Sequence, residues 1–311
     1  MKPTEYLSRN TRAVADTLTT VIKKELTTLY SCSSHGGYID PSDPEMITAG
    51  DRMKLVDWCY CIVDHCRLSR ETVASAMEMV DRFLSMPSNS ADAARLSDEA
   101  LKDQSTLQLL TVIALYSSIK INEEAVISSE QLAEMCRHIY SAQEIEDMER
   151  TLLCGLSWRC HAPTAHQVGM SLLSLLLPYV DIPEMIWGFV MDETKYLTEL
   201  AVRDYYFSTQ RTSTIALAAI FNVIHDANTS TRLKDLLGPF VQVIMEYFDF
   251  DHPTNIAAAM TRLQTLAKEE KAQIEGDNVD ERSLADSVKT FKASNRSSPR
   301  EQKKRKLEDN F

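Results

Sequence analysis

The sequence predicts an all-α fold built as two tandem helical sets, and three observations lead there. Among 311 residues there are only 8 glycines and 10 prolines, too few for hairpin-rich or phosphate-loop folds. Apolar residues recur at three-to-four spacing along segment after segment, the period of a helix with one face on a core. Two segments, Leu107–Ile119 and Thr212–Phe221, are apolar or small nearly all round, a pattern suited to a helix buried on every side. Each marks the centre of a unit of about a hundred residues, an ordinary domain size. The expected layout is a leading helix and connection over 1–45, a five-helix set over 46–160, a second over 161–272, and a disordered tail over 273–311.

In chain order, residues 11–29 carry Val14, Leu18, Val21, Ile22, Leu26 and Leu29 on one helical stripe, the leading helix. Tyr30–Gly50, with Ser-Cys-Ser-Ser-His-Gly-Gly and Pro-Ser-Asp-Pro, reads as a connection. Two amphipathic helices follow, one on Leu55, Trp58, Ile62 and Val63, the other on Val73, Met77, Val80 and Leu84. The second begins near Ser69, where the capping signal is partial because no Glu or Gln stands at the reciprocal position. Arg52 and Asp81 lie at the two ends of this pattern, where antiparallel neighbours bring them together as a structural ion pair.

Met86–Ala100, broken by Pro87, Ser88, Asn89 and Ser90 and then by charges, is expected to be an exposed loop with at most a short helical turn. After the buried segment 107–119, Ser129–Ile139 and Gln143–Leu156 supply two further amphipathic helices. His161-Ala-Pro-Thr reads as a hinge, since proline stops one helix and Thr164 can cap the next. The second set is expected over 164–177, 183–201, 210–226, 231–249 and 254–272, without visible sequence repetition of the first. Past Gln273 the apolar pattern gives way to Asp, Glu, Asn, Ser, Lys and Arg, a composition that cannot build a core.

Net charge is −12 and unevenly placed. Residues 268–311 hold 11 Lys and Arg against 10 Asp and Glu; the remainder, with 22 against 35, is near −13. An acidic body repels nucleic acid, so no nucleic-acid partner is expected. Nowhere do eighteen apolar residues run together, and no signal-peptide stretch opens the sequence, so no membrane partner is expected either. The 7 cysteines are odd in number and scattered, which fits reduced, buried thiols in a cytosol or nucleus. Cys59, Cys61 and Cys66 invite a metal reading, but Cys59 and Cys61 point to different faces of a helix and no second ligand pair follows; no metal or cofactor is expected. Nor is there a glycine-rich phosphate loop or nucleophile elbow to suggest an enzyme.

Four fragments stand in order at compatible separations. They are Arg52-x-x-Leu-Val-Asp-Trp, Val80-Asp-Arg-Phe-Leu-Ser, Leu107-Gln-Leu running to Lys120-Ile-Asn-Glu-Glu, and Met148-Glu149-x-x-Leu-Leu-x-x-Leu-x-Trp158 followed by Pro163-Thr164. Together they resemble the cyclin family of the cell-cycle type, across roughly residues 45–270 and both of its tandem cyclin boxes. The resemblance implies a non-catalytic regulatory subunit that binds and activates a cyclin-dependent Ser/Thr protein kinase and controls cell-cycle progression. The alternative is a transcription-associated cyclin or a cyclin-fold adaptor without kinase activation; one that bridges promoter DNA should carry a basic face, which the acidic body lacks.

Carried over residue by residue, Lys120 and Glu149 would hold the kinase's regulatory helix, with Ile121, Leu153 and Trp158 as the apolar seat and Glu123 beside them. Without the resemblance, Lys120 reads as a favourable cation at a helix C-terminus and Glu149 as part of a surface arrangement with Arg150. Leu55, Trp58 and Gln108 match a groove that docks basic-hydrophobic motifs of substrates and inhibitors, but Asp51 and Lys54 stand where the family is apolar, so docking is expected to be feeble or re-specified. The Met86–Thr106 connection is longer than is usual for the family. The run Lys303-Lys304-Arg305-Lys306 reads as a nuclear import signal, implying nucleus and cytoplasm, with Ser298-Pro299 a candidate phosphosite nearby. Neither a destruction-box pattern nor a Leu-x-Cys-x-Glu motif is present.

Overall fold

The structure is a computed structural model that describes residues 9–26, 37–87, 90–124, 127–176, 183–225, 241, 244 and 251–277. Twelve helices are delimited among these residues: α1 Arg9–Glu25, α2 Ala49–Cys66, α3 Glu71–Ser85, α4 Ala91–Ala100, α5 Gln104–Asn122, α6 Ser129–Met135, α7 Ala142–Gly155, α8 Ala165–Leu176, α9 Glu184–Arg203, α10 Tyr205–Ser208, α11 Thr212–His225 and α12 Pro253–Asp277. No strand occurs among them.

Local chemistry starts most of these helices. Thr48 and Asp51 close a reciprocal capping box at α2, as do Ser128 with Gln131 at α6 and Ser141 with Glu144 at α7. Thr164 caps α8, accepting from the Gln167 amide at 3.2 Å. α2 ends where Arg67 turns left-handed, with φ of 56°.

The central helices are the ones the composition marks. Along α5 every residue from Leu107 to Ile119 is buried except Gln108, and it packs against α2, α3, α4 and α7. α11 is buried in the same way between α8 and α9. Fully burying a side chain such as Leu110, Ile113 or Leu217 contributes about 1.5–3 kcal/mol, so these two helices anchor their neighbours. The helices up to Gln264 form one compact unit.

Several boundaries differ from the sequence expectation. From residue 90 to residue 100 there is no open loop: Ser90 accepts from the Ala93 amide and α4 runs to Ala100, joining the five helices expected of the first set. Ala91, Ala93, Ala94 and Leu96 are strong helix formers, and the charges fall on the outer face while Ala93, Leu96 and Ala100 pack inward. α1 stops at Glu25; Leu26 is exposed and Glu25 is buried in its stead. α6 stops at Met135 because Arg137 and His138 adopt φ of 54° and 55°, leaving Ile139 exposed. α12 continues to Asp277, beyond residue 272. Leu29, the segment 231–249 apart from residues 241 and 244, and the tail past 277 lie outside the described residues. Of the thiols, Cys59 is buried, but Cys61, Cys66 and Cys154 are exposed, which corrects the expectation of buried cysteines; a helix cannot turn both Cys59 and Cys61 inward.

Candidate functional site

Lys120 sits in the last turn of α5 and Glu149 in the middle of α7, two helices that pack together. The Lys120 Nζ lies 2.5 Å from Glu149 Oε1 and donates to Oε2 at 2.7 Å. Ser117, one turn earlier on α5, donates its hydroxyl to Oε1 at 2.8 Å. The ammonium also stands 4.2 Å from the centre of the Tyr116 ring, a cation–π contact. Glu149 is largely covered and Lys120 about a third exposed, so the pair is held from below and open above.

Apolar side chains border this pair in sequence and remain in solvent. Ile121 follows Lys120 and is 43% exposed; Leu153, one turn after Glu149, is half-buried. Trp158, just past α7, is 68% exposed. Its placement is set by the backbone: Trp158 is left-handed, with φ of 60°, and its amide donates to the Leu153 carbonyl at 2.8 Å. That bond ends α7 and turns the indole outward. Leaving an indole and a branched aliphatic in water is unfavourable for a free chain, and such residues anchor protein interfaces.

Glu123 has a different place. Its Oε1 accepts from the Ser69 amide at 2.9 Å and from the Thr72 hydroxyl at 2.5 Å. The approach to α3 is thus tied to the end of α5, while the Glu71 amide donates to the Ser69 hydroxyl at 3.3 Å. Sequence reasoning found the partial cap at Ser69 but had no means of locating its distant completion.

Arg52 and Asp81 form a bidentate pair, Nε to Oδ1 at 2.8 Å and a terminal nitrogen to Oδ2 at 2.6 Å, with both residues buried. The remaining terminal nitrogen donates to the Val202 carbonyl on α9 at 2.8 Å. Tyr38 donates its hydroxyl to Asp81 at 2.8 Å, and burial with the Asp81 charge pushes its pKa well up. Tyr38 stacks edge-on against Tyr205, whose hydroxyl accepts from the Ile39 amide at 2.8 Å. One ion pair therefore ties α2, α3, α9 and the 37–39 segment.

Around the expected docking groove, Leu55 is buried while Trp58 and Gln108 are half-buried. Asp51 is spent on the α2 cap, receiving the Thr48 amide at 3.1 Å and the Lys54 ammonium at 3.2 Å. Lys54 itself is 68% exposed at its side chain. Ser298 and Lys303, Lys304, Arg305 and Lys306 lie outside the described residues. Among the described residues no group of His, Cys, Asp and Glu could hold a metal ion, and no helix is long and apolar enough to cross a membrane.

Comparison with known proteins agrees with this architecture. The family model described as "Cyclin, N-terminal domain" matches residues 16–161. Cyclin-A1-2 of Arabidopsis thaliana is 28% identical over 175 residues, 56% of this chain and 36% of that protein. Cyclin-B1-1 of the same plant is 28% identical over 159 residues, 50% of this chain and 31% of that protein. The alignments thus span about a third of those relatives' own lengths. The X-ray structure of a viral cyclin from herpesvirus saimiri superposes with a TM-score of 0.55 at 14% identity, covering 81% of this chain and 97% of that one, so the fold is shared. Residues 16–161 thus carry a cyclin N-terminal domain, and over about half of its length the chain is similar to A- and B-type cyclins.

Proposed function

We propose that this chain is a regulatory subunit that binds and activates a cyclin-dependent Ser/Thr protein kinase and so acts in cell-cycle progression. The observation that carries the reading is the Lys120–Glu149 pair, held by Ser117 and Tyr116, beside exposed Ile121 and Trp158. An ammonium and a carboxylate fixed side by side can take a carbonyl and an amide of an incoming helix, setting its rotation. Because the two side chains are already ordered, little conformational entropy is lost on contact. The apolar neighbours supply the desolvated area that makes such a contact stable.

In a protein kinase the regulatory helix carries the Glu that must pair with the phosphate-binding Lys. A subunit that binds the helix better in its active position shifts the population towards activity without doing chemistry. The basic run 303–306 is proposed to direct nuclear entry, and Leu55, Trp58 and Gln108 to form a weakened docking groove.

The test is co-purification with cyclin-dependent kinases followed by a histone-type phosphorylation assay. Lys120→Ala or Glu149→Ala is expected to lose about 2–5 kcal/mol of binding, as for truncating one partner of a charged pair buried in a complex. The helical spectrum should not change. Undiminished kinase activation by the double variant overturns the assignment.

A further inference from the structure

A cavity of about 110 Å³ lies where α1, α2, α3, α9 and α11 meet the 162–165 connection between the two helical sets. Its ionisable lining comprises Glu25, Arg52, Glu78, Asp81 and Arg211; α9 contributes Thr198, Ala201 and Val202, none of them ionisable. Most of these charges are mutually satisfied. Asp81 is taken by Arg52 and Tyr38. Glu25 receives the Ser213 amide and hydroxyl and the Thr212 hydroxyl, with Arg211 at 3.7 Å.

Glu78 is the exception. Its Oε1 is buried and accepts no hydrogen bond. The cation beside it is Arg82, Nε at 3.4 Å, and Arg82 is shared with the connection because it donates to the Arg159 carbonyl. Cys160 in the same connection feels the Glu78 charge, which helps raise its thiol, though burial is the larger cause. A carboxylate oxygen without a hydrogen bond thus lines this internal space at the joint, with Asp81 on its own helix adding repulsion.

We propose that Glu78 is a proton-linked latch at the joint between the helical sets: neutral, it rests in the cavity wall; ionised, it loosens the joint. Burial pushes its carboxyl up to about 7, Arg82 opposing the rise and Asp81 adding to it. The folded-state value lies above the ordinary 4.5, so the folded chain keeps a proton that the unfolded chain has released. This contribution to stability is complete below the unfolded value and is lost as pH climbs through about 7.

The experiment is denaturant unfolding of the full chain from pH 5 to pH 9, comparing the wild type with Glu78→Gln. Other groups titrate alike in both, so their ratio isolates Glu78. The wild-type unfolding constant should rise at least about tenfold relative to the variant across neutrality. Parallel profiles overturn the proposal. Carbon-13 NMR of labelled Glu carboxyls in the wild type supplies a second reading, with Glu25→Gln as the control for the other buried glutamate. A carboxyl titrating near neutrality that survives Glu25→Gln and vanishes in Glu78→Gln supports the latch; one that persists in Glu78→Gln, or all carboxyls titrating in the ordinary range, overturns it.

Discussion

The Arg52 guanidinium spends two nitrogens on Asp81 and a third on the Val202 carbonyl, so an ion pair between neighbouring helices of the first set also holds the second. Both partners are buried, and an uncompensated buried charge is costly. Asp81→Ala is expected to lose about 3–5 kcal/mol in chemical denaturation. The loss should appear as a lower transition midpoint of the whole unit. A variant with unaltered stability would show that the contacts around Arg52 rearrange freely.

Glu123 and Lys120 lie three residues apart but should separate experimentally. Glu123→Ala removes the acceptor that holds the Ser69 amide and the Thr72 hydroxyl at the start of α3, for a stability loss of about 1–3 kcal/mol. Its effect on kinase affinity should be smaller than that of Lys120→Ala. Calorimetry of folding and titration of the complex on the same proteins check this; a larger binding loss for Glu123→Ala would return that residue to the interface.

Gly155 is required by a close approach. A Cβ there would stand 2.5 Å from the Phe83 ring and 3.2 Å from Ala93, so α3, α4 and α7 converge on its bare backbone. Gly155→Ala should destabilise by about 1–3 kcal/mol through overpacking, despite the better helix propensity of alanine. A rise in melting temperature would mean that the ring has room to move.

The groove prediction turns on Lys54, whose exposed ammonium lies one turn before half-buried Trp58. A basic-hydrophobic peptide should bind feebly to the wild type, because like charges meet and apolar area is missing. Lys54→Leu should tighten it by about tenfold, the scale of one buried leucine side chain. Ordinary wild-type affinity that Trp58→Ala abolishes would refute the weakened groove.

The sequence by itself determined the helical class, the two buried central helices, the capping of α8 by Thr164, and the meeting of Arg52 with Asp81. All follow from periodicity and short-range chemistry, which a chain carries in its own order. It misread 90–100 because proline, serine and charge suggested a loop, whereas the alanine and leucine spacing gives α4 an inner face that packs on α3, α5 and α7. It could not assign Glu123 to the start of α3, Glu25 to the start of α11, or Glu78 to the cavity. Those partners stand tens to nearly two hundred residues away, and only tertiary packing decides which carboxylate reaches which orphaned amide.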